Sequence, residues 1–85
     1  MDVTKQVSQP KPQMDFADIS NEEYRSYEFA NGGIVTIHEP VKLNVKRKPE
    51  GDSHRIIDAA GVSHYIPAGW IHLSWRGKNG EAFNF

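Results

Sequence analysis

The chain has 85 residues, no cysteine and a formal net charge of −1. That length holds one domain, the missing cysteine excludes disulfides and thiolate metal sites, and the near-neutral balance excludes a global field drawing the chain to nucleic acid or membrane. No apolar run approaches the roughly 18 residues of a membrane span and no apolar signal core opens the chain, so a cytoplasmic location without membrane contact is expected.

The charge is unevenly spread: residues 1–28 hold six acids against three bases, and the remainder seven bases against five acids. Met1 to Gln13 has no apolar period, and Pro10 and Pro12 fix φ and remove backbone donors. A flexible arm over residues 1–15 is expected, followed by one small β domain over 16–85. In Met14 to Tyr24, Ser20 and Glu23 have the spacing of a helix capping box, with Phe16, Ile19 and Tyr24 along one side of a short helical turn. Phe16 and Ile19, interleaved with Asp15 and Asp18, also suit a linear element that folds into a basic, apolar groove of a partner. The competing reading is self-docking, in which they cover an open end of the chain's own sheet.

From Tyr24 the period becomes two, in short runs bounded by turn residues. Arg25 to Phe29 and Ile34 to His38 flank Asn31-Gly32-Gly33, a hairpin signal because these residues accept positive φ. Pro40 then interrupts the ladder. Val41 to Lys46 alternates cleanly, with Val41, Leu43 and Val45 on one face and Lys42, Asn44 and Lys46 on the other. Further strands are expected at His54 to Asp58, Val62 to Ile66, Trp70 to Trp75 and Glu81 to Phe85. Six or seven short strands with no helix to cover them predict an all-β antiparallel meander, curled into a small SH3-like barrel. Its expected core is Tyr27, Phe29, Val35, Ile37, Val41, Leu43, Val45, Ile56, Val62, Ile66, Ile71, Leu73 and Trp75.

Two resemblances bear on function. Tyr65, Ile66, Pro67, Trp70 and Ile71 resemble the end of an SH3 domain, where a strand closing on a proline leads through a short turn into an aromatic and the last strand. That resemblance implies peptide-groove roles for Pro67 and Trp70. The chain from Tyr27 to Trp75, through His54-Arg-Ile-Ile-Asp-Ala-Ala-Gly61 and Ser63 to Trp75, is similar to small accessory and structural proteins of tailed bacteriophages. It implies a protein that binds and modulates host machinery or serves as a minor virion component.

Three chemistries compete for the polar residues. His64 and His72 flank the Pro67-Ala-Gly69 turn; if they face each other, they could ligate zinc with His54 or Asp58, as a histidine-metal hydrolase requires. Lys46, Arg47 and Lys48, with Lys42 and Arg55, form a basic cluster that exposed Tyr65 and Trp70 could complete into a single-strand nucleic-acid surface. Trp70 and Trp75, five positions apart, fall on opposite faces of a regular strand unless a bulge intervenes. The leading expectation is a protein-binding module that is no enzyme and uses no cofactor or metal. Phe16, Ile19, Tyr65, Pro67, Trp70, Lys46, Arg47 and Lys48 would contact a macromolecular partner or a second copy of the chain. Single-stranded nucleic acid is the alternative partner.

Overall fold

The computed structural model describes residues 15–84, so the expected arm lies, except for Asp15, outside the described residues. Their regular structure is entirely β: β1 (Ala17–Asp18), β2 (Glu22–Phe29), β3 (Ile34–His38), β4 (Pro40–Lys46), β5 (Ser53–Asp58), β6 (Ser63–Ile66), β7 (Trp70–Gly77) and β8 (Ala82–Asn84). The all-β antiparallel class therefore stands. The strands form two four-stranded sheets, ordered β1-β4-β5-β6 and β3-β2-β7-β8, which pack as a small barrel-like sandwich that does not close.

A simple meander would pair β3 with β4 and β6 with β7. Instead the chain changes sheet at both junctions. At the first, Glu39 takes φ 52°, a left-handed value rarely adopted by residues with a side chain. Its N–H donates to the Glu23 carbonyl and its own carbonyl accepts from Ala59, each at 2.9 Å, so the corner is held from both sheets. Pro40 follows as the first residue of β4, a position where a missing donor is tolerated.

Among the described residues of the Met14 to Tyr24 segment, 15–24, the expected helical turn does not form. Ser20 and Asn21 make a tight turn in which Ser20 N donates to Asp18 Oδ1 at 2.9 Å, and β2 begins at Glu22. The competing reading, self-docking, holds for Ile19, which is only 7% exposed where β1 pairs with β4, whereas Phe16 remains 37% exposed. An isolated helical turn is marginal, and the segment instead pairs with β4, with Ile19 N donating to the Val41 carbonyl at 2.8 Å.

Ile19, Tyr27, Ile37, Ile56, Ile66 and Leu73 are buried between the sheets, with Phe29, Leu43, Trp70 and Trp75 packed against them. Each buried aliphatic contributes roughly 1.5–3 kcal/mol. Val35, Val62 and Ile71, expected inside, are exposed, and Val41 and Val45 are half-buried. Register shifts explain part of this. Between Phe29↔Trp70 and Glu28↔His72, β7 advances two residues while β2 advances one. Ile71 is the extra residue, and the bulge resets the alternation so that Trp70 and Trp75 both face the core. A second shift on β2, between Glu22 and Tyr24, brings Glu22 and Arg25 onto the inner face together.

The β2–β3 turn is built as its residues dictate. Gly32 has φ 88°, its N–H donates to the Phe29 carbonyl at 2.9 Å, and Asn31 Oδ1 accepts from Gly33 N at 2.8 Å. A Cβ on Gly32 would meet no atom within 4 Å, so Gly32→Ala tests backbone strain alone. Urea unfolding is expected to show a loss of about 1 kcal/mol.

Candidate functional site

The interior holds two linked polar clusters. Arg25 Nε and Nη2 donate to the two carboxylate oxygens of Glu22 at 2.9 and 2.6 Å, and both side chains are buried. The guanidinium lies 4.5 Å from the Trp75 ring centroid, and Trp75 stacks on Phe83 at 5.3 Å. Beside it, the Tyr27 hydroxyl meets His54 Nδ1 at 2.5 Å, and the Trp70 ring packs edge-on against both. Burial, then the positive charge of Arg25, lowers the His54 pKa to about 4. His54 is therefore neutral near pH 7, with Nδ1 free to accept from the phenol.

Two open sides of the sandwich are concave. One groove, about 460 Å³, runs between the edge strands β3 and β6, lined mainly by Phe29, Ile34, Val35, Tyr65, Ile66 and Pro67. Ile34 is 63% exposed, Val35 39% and Tyr65 50%. The other, about 480 Å³, has Trp70, Trp75, Leu43 and Val45 with Arg25 and His54 along its walls. Trp70 Nε1 is buried beside it with no hydrogen-bond partner among the described residues.

A third concavity, about 150 Å³, is lined by Asn44, Lys46, Lys48, Ser53, His54, Arg55 and Tyr65. Cross-strand register aligns Asn44, Arg55 and Tyr65 in one row across β4, β5 and β6, with Lys46 opposite Ser53 in the next. The Arg55 guanidinium sits 5.3 Å from the Tyr65 ring centroid. A hydrogen bond with Ser53, then the nearby Lys48 and Arg55 cations, holds the Tyr65 phenol below the usual tyrosine range.

The eight residues singled out from the sequence are thus dispersed. Tyr65 and Pro67 share the β3–β6 groove, and Lys46 and Lys48 meet Tyr65 at the small basic concavity. Arg47 points away from its neighbours, 82% exposed, paired with Asp52 at 3.2 Å on the rim of the opposite groove. Trp70 packs on the core rather than forming a free surface platform, because the β7 bulge turns it inward. Ile19 is likewise a core residue, and Phe16 stays at the surface, 37% exposed. The basic run reads as one cluster in sequence, but Lys46 and Lys48 line the small concavity while Arg47, between them, lies on the opposite groove.

The facing histidines are corrected too. β6 pairs with β5 and β7 with β2, so His64 and His72 lie in different sheets. His64 Nε2 is 2.8 Å from Asp58 Oδ2, and His72 Nδ1 is 3.7 Å from Glu28 Oε1. Asp58 also accepts from Ala60 and Val62, making it a turn-forming residue. Among the described residues no group of three or more histidines and carboxylates could hold a metal ion.

Ile34, Val35 and Ser53 entered no sequence-based site. The hairpin around Lys48 to Gly51, closed by Gly51 N donating to the Lys48 carbonyl at 3.0 Å, sets Lys46 opposite Ser53 and is the signal that could have assembled the basic row. Comparison with protein-family models, with curated proteins and with solved structures finds no match to this chain.

Proposed function

We propose that this chain is a non-enzymatic protein-binding module that receives an extended, apolar segment of a partner in the groove between β3 and β6. One observation carries the reading: two sheet edges flank a single groove whose lining is mostly apolar and whose Ile34, Val35 and Tyr65 are substantially exposed. An edge strand presents unpaired backbone N–H and C=O groups that a partner strand can complete, while pockets between the sheets take alternate side chains. Pro67, in the groove lining immediately after β6 ends at Ile66, bounds the register an added strand can take.

Selection of a displayed peptide library on the folded protein, followed by titration of a chosen peptide, tests this. Alternating apolar residues are expected in the selected peptides, with amide shifts concentrated on residues 34–38 and 63–67. Val35→Asp should weaken the peptide at least about tenfold, or about 1.4 kcal/mol, with an unchanged circular-dichroism spectrum as the folding control. Shifts confined to the outer face of β4 and β5, or an enriched library with no apolar alternation, would refute the groove. A second copy of the chain as occupant would instead show as a concentration-dependent sedimentation coefficient lost in Val35→Asp. In a tailed phage, such a module would act on host machinery or within the virion, and co-purification with particles separates those roles.

A further inference from the structure

We propose that the outer face of β4, β5 and β6 is a second binding surface, for the phosphate backbone and bases of a single-stranded nucleic acid. The site lies beside the protein-binding groove, shares Tyr65 with it, and otherwise rests on different residues.

The two outer faces of the sandwich are chemically unlike. On the β3-β2-β7 face, basic side chains sit beside acids: His72 is 3.7 Å from Glu28, and Arg76 is 3.8 Å from Glu23. On the β4-β5-β6 face, Lys46, Lys48 and Arg55 line one concavity to which no carboxylate contributes. Among the described residues, none of the three forms an ion pair. Lys42, two rows along, has Asp18 opposite it in register; hydrogen bonds from Ser20, and then the Lys42 charge, lower the pKa of that carboxylate. Three like charges held together without a counterion repel one another, and an anion entering between them relieves that repulsion.

The polar groups that complete the concavity hold the cations and the ring in place. Ser53, 2% exposed, hydrogen-bonds the Tyr65 phenol, and Arg55 is steadied by Nη1 donating to Ser63 Oγ at 2.9 Å. The Asn44 amide is already engaged, its Nδ2 donating to the Asp15 carbonyl at 2.9 Å. The row therefore offers charge from β4 and β5 and an aromatic surface from β6.

Tyr65 selects the class of anion. Its ring is half exposed beside the cations and aligned with Arg55 across the strands. A flat aromatic next to a phosphate site accommodates a base, and stacking is indifferent to which base it is. A phosphopeptide would use the cations without needing that ring. A duplex would need a protruding element to enter a groove, whereas this face is a sheet.

Fluorescence anisotropy of a labelled 15-nucleotide oligothymidylate with the full chain tests the surface. Binding is expected at 50 mM NaCl, weakening about 15-fold or more by 200 mM as three phosphate contacts release their counterions. Lys46→Ala and Lys48→Ala should each lower the magnitude of the logarithmic salt slope by about 0.7. Tyr65→Ala should weaken binding about tenfold or more, whereas Tyr65→Phe should bind like the parent because stacking is retained. Val35→Asp, which touches only the groove, should leave oligonucleotide affinity unchanged, so the two surfaces fail separately. No anisotropy change at 50 mM NaCl overturns the proposal. So does equal binding by the parent and Tyr65→Ala, which marks a general polyanion patch, or tighter binding of a phosphoserine peptide than of the oligonucleotide. Inorganic phosphate shifting the Lys48 and Arg55 resonances, with no oligonucleotide bound, would also overturn it.

Discussion

Arg25→Met should destabilise the fold by about 3–5 kcal/mol in urea unfolding, because it strands the Glu22 carboxylate in the interior without its counterion. Glu22 and Arg25 are 5% and 4% exposed, and the two hydrogen bonds between them satisfy both carboxylate oxygens. The substitution also removes the cation from the face of Trp75. Domains of this size hold total stabilities of order 5 kcal/mol, so the single variant will sit close to its unfolding midpoint. A companion variant makes the cause visible. Glu22→Leu combined with Arg25→Met removes both charges and should recover to within about 1 kcal/mol of the parent, since a buried pair replaced whole is often neutral. A single variant indistinguishable from the parent would show that the carboxylate finds water, and that the pair is incidental to stability.

Acidification between pH 6.5 and about pH 4 should cost this protein roughly 3 kcal/mol through His54 alone. The unfolded chain takes up a proton on that imidazole near pH 6.5, while the native state holds it off to about 4. In the window between, the unfolded state binds more protons, so stability falls as the pH falls; above the window the contribution is fully present, and below it the loss stops growing. The cause is the buried setting against Tyr27 and Trp70, followed by the charge of Arg25. His54→Gln should flatten the stability profile over that window relative to the parent, whatever its effect at pH 7. Profiles that run parallel from pH 7 to pH 4 would mean that His54 titrates as if in water. The double variant at Glu22 and Arg25 should shift the His54 titration upward, because it deletes the neighbouring positive charge.

How much of this was legible beforehand follows from which interactions are local. The alternation in Ile34 to His38 and in β4, and the glycine turns, are set by neighbouring residues and are plain in the sequence. The change of sheet at Glu39 is not, because it depends on hydrogen bonds to Glu23 and Ala59, each far along the chain. The same holds for the two bulges on β2 and β7. A single extra residue reverses every later side chain, so Ile71 left the expected core and Trp70 entered it. The buried Glu22–Arg25 pair was hidden for that reason: three positions apart, the two residues belong on opposite faces of a regular strand. Ser20 with Glu23 matched a helix start, yet the segment found better partners along β4. Of the surface residues, Tyr65 and Pro67 were recognisable from their local setting. Lys46 and Lys48 could be separated from Arg47 only once the register with β5 was known.

The exchange of strands between sheets also dictates when this protein can become itself during synthesis. β4, β5 and β6 are joined by short turns and can assemble as soon as they leave the ribosome. β2, by contrast, has its longest pairing with β7, where Arg25 meets Trp75 about 50 residues later. Until that distant stretch emerges, the β2–β3 hairpin must wait with one flank bare, so folding should finish late and comparatively slowly. A nascent chain halted just after Pro67 would present that flank to any chaperone within reach.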